Sequence, residues 1–99
     1  MANTNTLILN LKGKWFQAIK RGKTAEYREI KPHWQQRLLD KEGYPRTFDS
    51  VEFRNGYQPN APKLTVEFLG IRIGKPEPSW CEPEMCNKNH FIIEFQKIK

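Results

Sequence analysis

The apolar residues of this chain lie in short segments, and none approaches the roughly 20 residues that cross a bilayer. Five segments have the branched or alternating composition of β-strands, and two have the three-to-four-residue spacing of amphipathic helices. These patterns predict an α+β, mainly β fold, built as a small barrel or a strongly curved sheet of about five strands with two short helices. The predicted strands cover residues 6–11, 24–30, 48–54, 63–73 and 90–98. The first predicted helix covers 14–21, and the second begins at Pro32 and ends before Gly43.

Length favours one domain over residues 1–99, because a chain of 99 residues has little to spare for a second core. An apolar fraction of 37% and 12% aromatic residues are enough to build that core. Met1–Thr6 lacks the basic start and apolar stretch of a secretory signal. We therefore expect a cytoplasmic protein with no membrane association.

The basic charge is concentrated in one stretch. Residues 12–37 hold eight Lys and Arg against two Glu, which gives +6, whereas the other 73 residues hold nine charges of each sign. The whole net charge of +6 therefore comes from this stretch. A localised basic surface favours an anionic partner such as RNA or a nucleotide.

The densest polar cluster of the chain lies within the basic stretch, in the sequence Gly-Lys-Thr-Ala-Glu-Tyr-Arg at 22–28. Glu26 and Arg28 are two residues apart and share one face of a strand, while Lys23 and Thr24 occupy a helix-to-strand junction. Lys23 and Arg28 could hold a phosphate, or Lys23 could accept a proton if burial and a neighbouring Arg lower its pKa. The alternative is an exposed Glu26–Arg28 pair beside a solvated lysine.

The pattern Lys23-x-x-Glu26-x-Arg28, preceded by a helix and a glycine and followed by a strand, resembles the signature of the ASCH superfamily. The resemblance extends to the opening strand, to the first helix and to the closing Phe91–Phe95 strand, so it frames nearly the whole chain. It implies a PUA-like β-barrel and RNA binding.

The same resemblance implies possible catalysis. Some small ASCH proteins are amidohydrolases on N4-acylated cytidines, with the motif lysine, a threonine and a later glutamate in the site, and others are reported as nucleases. Lys23 matches the lysine, whereas Glu26 stands where the threonine would be. The catalytic candidates are therefore Lys23, Glu26 and Arg28, and the later glutamate is left open among Glu67, Glu77 and Glu94.

Aromatic residues lie among and beside the basic residues, and nucleobases can stack on them. The helical spacing of Trp15 and Trp34 favours burial in the core for both. Trp80 and Tyr57 lie in segments without an apolar pattern and are the preferred stacking candidates. The predicted nucleic-acid-binding residues are Lys14, Lys20, Arg21, Lys23, Thr24, Arg28, Tyr57 and Trp80.

A proline-rich segment, Gly74–Asn89, is predicted to be a long loop that serves as a lid or as an elaborated connection. Cys81 and Cys86 within it are predicted to be two reduced cysteines. A zinc site made of these cysteines with His90 and His33 is a weaker alternative, because one stretched Cys pair lacks the usual spacing. No cofactor and no metal are predicted.

Three functions remain open from the sequence. The first is an RNA- or nucleotide-binding module, and the second is a small hydrolase of the amidohydrolase or ribonuclease type that uses Lys23 with Glu26 and Arg28. The third is a protein-interaction module whose basic face binds an acidic partner.

Overall fold

A computed structural model describes residues 5–97. The helices and strands are β1 (Thr6–Leu11), α1 (Gly13–Lys20), β2 (Ala25–Glu29), α2 (Pro32–Leu38), β3 (Ser50–Asn55), β4 (Lys63–Gly74) and β5 (His90–Phe95). Two short 3-10 turns, Pro78–Trp80 and Pro83–Met85, lie between β4 and β5. The predicted α+β, mainly β class with five strands and two helices is confirmed.

The five strands form one mixed sheet in the order β1-β3-β4-β5-β2. β1 and β3 are parallel, whereas the β3–β4 and β2–β5 pairs are antiparallel. Within residues 5–97, β1 and β2 are the two ends of this order, so the sheet is not closed into the predicted barrel. The period-2 pattern that predicts each strand carries no information on closure, which depends on the pairing of the first and last strands.

Contacts divide the described residues into two units, and the long strand β4 contributes to both. The first unit comprises residues 5–24, 48–68 and 95–97. In it, α1 packs against β1 and β3, and the Phe53 and Phe95 rings meet edge to face at 4.8 Å. The buried apolar side chains of this unit are Leu7, Leu9, Leu11, Phe16, Ile19, Val51, Phe53, Ala61, Val66 and Phe95.

The second unit comprises residues 25–47 and 69–94. β2 pairs with β5 in it from Ala25↔Glu94 to Glu29↔His90. α2 begins with Pro32, whose fixed φ suits a first helical turn, and ends where Arg46 donates its backbone N–H to the Leu38 carbonyl at 2.8 Å. The buried apolar side chains of this unit are Ala25, Leu38, Pro76, Phe91, Ile92 and Ile93.

Strand boundaries differ from the predictions where pairing partners end. β3 begins at Ser50, two residues later than predicted, because its ladder with β1 starts at Thr6↔Ser50. β5 stops at Phe95, since β2 supplies partners only as far as Ala25↔Glu94; the predicted last strand residue, Ile98, lies outside the described residues. β4 continues through Gly70 as one strand, and the bulge or bend predicted there stays a prediction.

Helix lengths bear on the prediction about membranes. α1 has eight residues and α2 has seven. In the described part of the chain, no helix has the length and apolar composition of a membrane-spanning segment.

Candidate functional site

The end of α1 fixes the position of Lys23. Gly22 has φ +109°, and its N–H donates to the Ile19 carbonyl at 3.1 Å, while the Lys23 N–H donates to the Ala18 carbonyl at 3.0 Å. These two bonds form a Schellman motif, in which a residue with positive φ, almost always glycine, reverses the chain after the last helical turn. The reversal places Lys23 directly beside the helix that precedes it.

The Lys23 side chain lies over an aromatic ring of α1. Its Nζ is 4.3 Å from the centre of the Trp15 ring, and only 2% of the residue is exposed. Lys14 is an exposed residue whose Nζ lies 4.6 Å from the centre of the same ring. Trp15 is half-buried rather than a core residue, contrary to its prediction. One indole therefore contacts a buried cation and an exposed cation, and the contact partly offsets the cost of desolvating the Lys23 amine.

Glu26 and Arg28 form an ion pair on β2. Arg28 Nη1 donates to Glu26 Oε1 at 3.1 Å and to the Tyr27 carbonyl at 2.7 Å. Glu26 is 4% exposed and the Arg28 side chain is 16% exposed, so the pair is withdrawn from solvent. The predicted shared strand face is confirmed, and the alternative of an exposed pair is wrong.

A second tryptophan lies beside this ion pair. The Arg28 guanidinium is 5.2 Å from the centre of the Trp34 ring, and the guanidinium of Arg37, on the same helix face as Trp34, is 4.7 Å from it. Trp34 is half-buried and Arg37 is exposed. The sequence reasoning missed Arg37 as a site residue, although its three-residue spacing from Trp34 was a usable signal.

Tyr27 connects β2 to the loop after β4. The backbone N–H of Glu77 donates to Tyr27 Oη at 3.1 Å. Burial raises the pKa of the Tyr27 phenol above its usual value of 10.0, and the bond from Glu77 opposes this shift without cancelling it. Glu77 thus contacts Tyr27 through its backbone N–H, and its carboxylate accepts a hydrogen bond from Ser79 Oγ at 3.3 Å.

The two cysteines of the loop are joined in a disulfide, so the prediction of two reduced thiols is wrong. The loop brings their Cα atoms to 6.1 Å, within the range that a disulfide spans. The zinc arrangement is also excluded in this structure, because both sulfurs are used in the bond and His90 Nδ1 donates to the Lys88 carbonyl at 2.8 Å. Within residues 5–97, no three His, Cys, Asp or Glu side chains are placed to hold a metal ion.

The remaining predicted residues are spread over both units. Lys20 and Arg21 are exposed at the end of α1, with Lys20 Nζ 5.4 Å from the Phe16 ring, and Thr24 is half-buried. Tyr57 is 87% exposed, and Trp80 is half-buried in the first 3-10 turn. Of the other glutamates, Glu67 is exposed, and Glu94 pairs with Arg72 at 3.4 Å.

Comparisons of the chain with protein-family models, with curated proteins and with solved structures found no match.

Proposed function

We propose that this protein binds single-stranded RNA or nucleotides through the basic and aromatic residues of its basic stretch. The observation that carries the proposal is that Trp15 and Trp34, both half-buried, each lie within about 5 Å of two cationic side chains. Single-stranded nucleic acids are held by this combination, in which bases stack on aromatic rings and cations contact phosphates.

The first contact point is the Lys14–Trp15–Lys23 group. Lys23 is buried and holds the indole from the protein side, so it acts as a positioning residue. Lys14 is exposed, and its flexible ammonium can leave the ring to contact a phosphate while a base takes its place on the indole. Exposed Lys20 and Arg21, at the end of the same helix, add positive charge.

The second contact point is the Arg28–Trp34–Arg37 group. Arg28 is held by Glu26 and by the Tyr27 carbonyl, so its guanidinium has a fixed orientation. Arg37 is exposed and can pair with a phosphate in a bidentate manner. Because RNA is a polymer, the two groups can each contribute contacts, and each is tested separately below.

The test is the affinity of Trp15→Leu and Trp34→Leu for a fluorescently labelled single-stranded RNA, measured by anisotropy. Both substitutions leave the net charge unchanged, so a loss of affinity reports on stacking alone. Each stacked base contributes about 1–3 kcal/mol, which corresponds to a loss of roughly five- to 150-fold. Circular dichroism verifies that both variants are folded.

The matched control is Tyr44→Leu, which removes a 68% exposed aromatic ring outside the basic stretch. Its affinity should equal that of the wild type. A second matched pair compares Lys14→Ala with Lys63→Ala, since each removes one exposed lysine and only the first lies beside an indole. The proposal is contradicted if Tyr44→Leu loses as much RNA affinity as the two tryptophan variants do. It is also contradicted if Lys63→Ala loses as much RNA affinity as Lys14→Ala does.

The resemblance of Lys23-x-x-Glu26-x-Arg28 to the ASCH signature supports the same function, and we include membership of that superfamily and a cytoplasmic location in the proposal. Trp80 and Tyr57 remain predicted stacking residues. The same assay tests the alternative that the protein is an interaction module whose basic face binds an acidic partner. An acidic peptide with the same total charge as the RNA would favour this alternative if it displaced the RNA completely.

A hydrolase is the second candidate function, and it is favoured by the burial of both Lys23 and Glu26 within four residues of sequence. Burying ionisable groups costs stability, and active sites are where proteins commonly retain such groups. In this function Lys23 accepts a proton, which is the role that the resemblance to the ASCH signature implies for the motif lysine.

The hydrolase candidate is tested by incubating the protein with N-acylated nucleosides and short RNAs and separating the products by chromatography. Product formation should be lost in Lys23→Met, which keeps most of the apolar stem of the side chain and removes the amine. Turnover that survives in Lys23→Met rules out this site, and intact RNA binding in the same variant shows that binding and catalysis are separate.

A further inference from the structure

The loop between β4 and β5 has an ordered backbone around its two cysteines. Each of its 3-10 turns begins with a proline, and each is closed by a backbone bond of 2.9 Å, from Trp80 to Glu77 and from Met85 to Glu82. Cys81 directly follows the first turn and Cys86 directly follows the second. The fixed φ of proline and these bonds order the backbone that directly precedes each cysteine.

The surroundings of Cys86 suit the thiol as well as the disulfide. Its Sγ lies 3.2 Å from the Glu82 carbonyl oxygen and 4.0 Å from that of Pro78. A disulfide sulfur has no hydrogen to donate, whereas a thiol can donate to the Glu82 carbonyl at this distance. Both cysteines are half-buried rather than enclosed, so an external thiolate can reach them.

We propose that Cys81 and Cys86 form a reversible thiol–disulfide exchange site whose reaction partner is a dithiol reductant. A thiolate of the dithiol attacks one sulfur and forms a mixed disulfide, and the released cysteine leaves as a thiolate. The second thiol of the reductant then displaces the other cysteine. The dithiol is oxidised to a disulfide, two electrons pass to the protein, and two protons complete its thiols.

The state of this site is transmitted to β2 through Glu77. Glu77 accepts the closing bond of the first turn through its carbonyl and donates its own N–H to Tyr27 Oη. The disulfide joins that turn to the second one, so it restrains the segment from Glu77 to Cys86. Reduction removes this restraint and lets the Glu77–Tyr27 bond open more often.

The test uses the folded protein with and without millimolar dithiothreitol. Without denaturant, the reduced sample should expose two thiols to Ellman's reagent, and oxidised glutathione should restore the internal disulfide in a monomer. In hydrogen exchange, the Glu77 amide should exchange about tenfold faster after reduction, while the amides of β1 stay unchanged. The Cys81→Ser, Cys86→Ser variant should exchange at the reduced rate under both conditions.

Three results would overturn the proposal. The first is a requirement for denaturant before the disulfide is reduced, and the second is re-oxidation that yields intermolecular dimers or stable glutathione adducts. The third is an equal Glu77 exchange rate in the oxidised and reduced proteins. None of these readouts depends on RNA binding, so the exchange site and the proposed function fail independently.

Discussion

Two buried ionisable residues, Lys23 and Glu26, show how the fold accommodates charge. An isolated buried charge is expensive, and each of these side chains has a specific compensating contact. Lys23 lies over the Trp15 ring, and Glu26 accepts a charge-assisted hydrogen bond from Arg28. Each of these contacts offsets part of the cost of burying the charge.

Removal of Arg28 should expose the cost of the buried carboxylate. We expect Arg28→Ala to lower the free energy of unfolding by about 3 kcal/mol, because it leaves Glu26 in place without its guanidinium. In a Glu26→Gln background the same substitution should cost only about 1 kcal/mol, mostly for the lost bond to the Tyr27 carbonyl. Urea denaturation of the four proteins measures the coupling between the two residues.

The exposed pair Lys31–Glu29, with an N–O distance of 3.3 Å, is the matched control for this cycle. Both of its side chains are largely exposed, so its coupling should be below about 1 kcal/mol. Equal coupling in the two pairs would show that burial of Glu26 adds nothing to its interaction with Arg28.

At the residue scale, the sequence predicts on which face of a strand or helix a side chain lies better than it predicts how far that side chain is buried. The two-residue spacing correctly placed Glu26 and Arg28 on one face, because side-chain direction alternates along any strand. It did not predict that Glu26 is enclosed, since that depends on which segments cover the strand. The same limit explains Trp15 and Trp34, whose helical spacing predicts an inward face but not how far each indole remains exposed.

Between elements, the bond from the Glu77 backbone to Tyr27 joins the loop after β4 to β2 within the second unit. Sequence reasoning predicted a loop here from prolines and missing periodicity, and its location between β4 and β5 is confirmed. Neither the 3-10 turns nor the contact with β2 could be predicted, because a hydrogen bond between residues 50 apart leaves no local pattern.

Tyr27 should make stability depend on pH above the usual range of tyrosine ionisation. Because burial raises the pKa of Tyr27 in the folded protein, its phenol binds its proton more tightly there than in the unfolded chain. Its contribution to stability is therefore fully present below pH 10 and is lost as pH rises from 10 through the folded-state pKa. Thermal unfolding from pH 8 to 11.5 should show a steeper loss in wild type than in Tyr27→Phe.

The absorbance of tyrosinate near 295 nm identifies the residue. The difference between the titrations of the wild type and Tyr27→Phe should be a single transition with its midpoint above 10.0. Tyr57→Phe removes a phenol at an 87% exposed position and is the matched control for the substitution itself. A midpoint at or below 10.0 in the difference titration would contradict the assigned burial effect.

For the whole molecule, the number of phosphates that the basic residues contact should set how binding depends on salt. If four phosphates are contacted, the affinity for single-stranded RNA should fall about 50-fold between 50 and 200 mM NaCl, since log K changes by about −0.7 per phosphate for each unit of log salt. Anisotropy titrations at four salt concentrations give the slope. A slope near zero would exclude phosphate contacts as the source of affinity.

At this scale the sequence predicted element types and number well, and strand connections poorly. Five apolar segments of strand length were enough to count the strands, because each has its own local pattern. The parallel pairing of β1 with β3 could not be read, since many pairings satisfy the same alternation. The predicted barrel failed for this reason, because closure is a property of strand order and not of any strand.

The β1–β3 ladder also affects when the chain can fold during its synthesis on the ribosome. Thr6 pairs with Ser50, 44 residues later, and the first unit further needs Phe95, whose N–H donates to the Thr24 carbonyl. At about 5–20 residues per second, β1 waits roughly 2–9 s for its partner strand. Leu7, Leu9 and Leu11, all buried in the finished protein, are without that partner during this interval. The nascent chain therefore offers an early binding segment to chaperones that recognise apolar sequences.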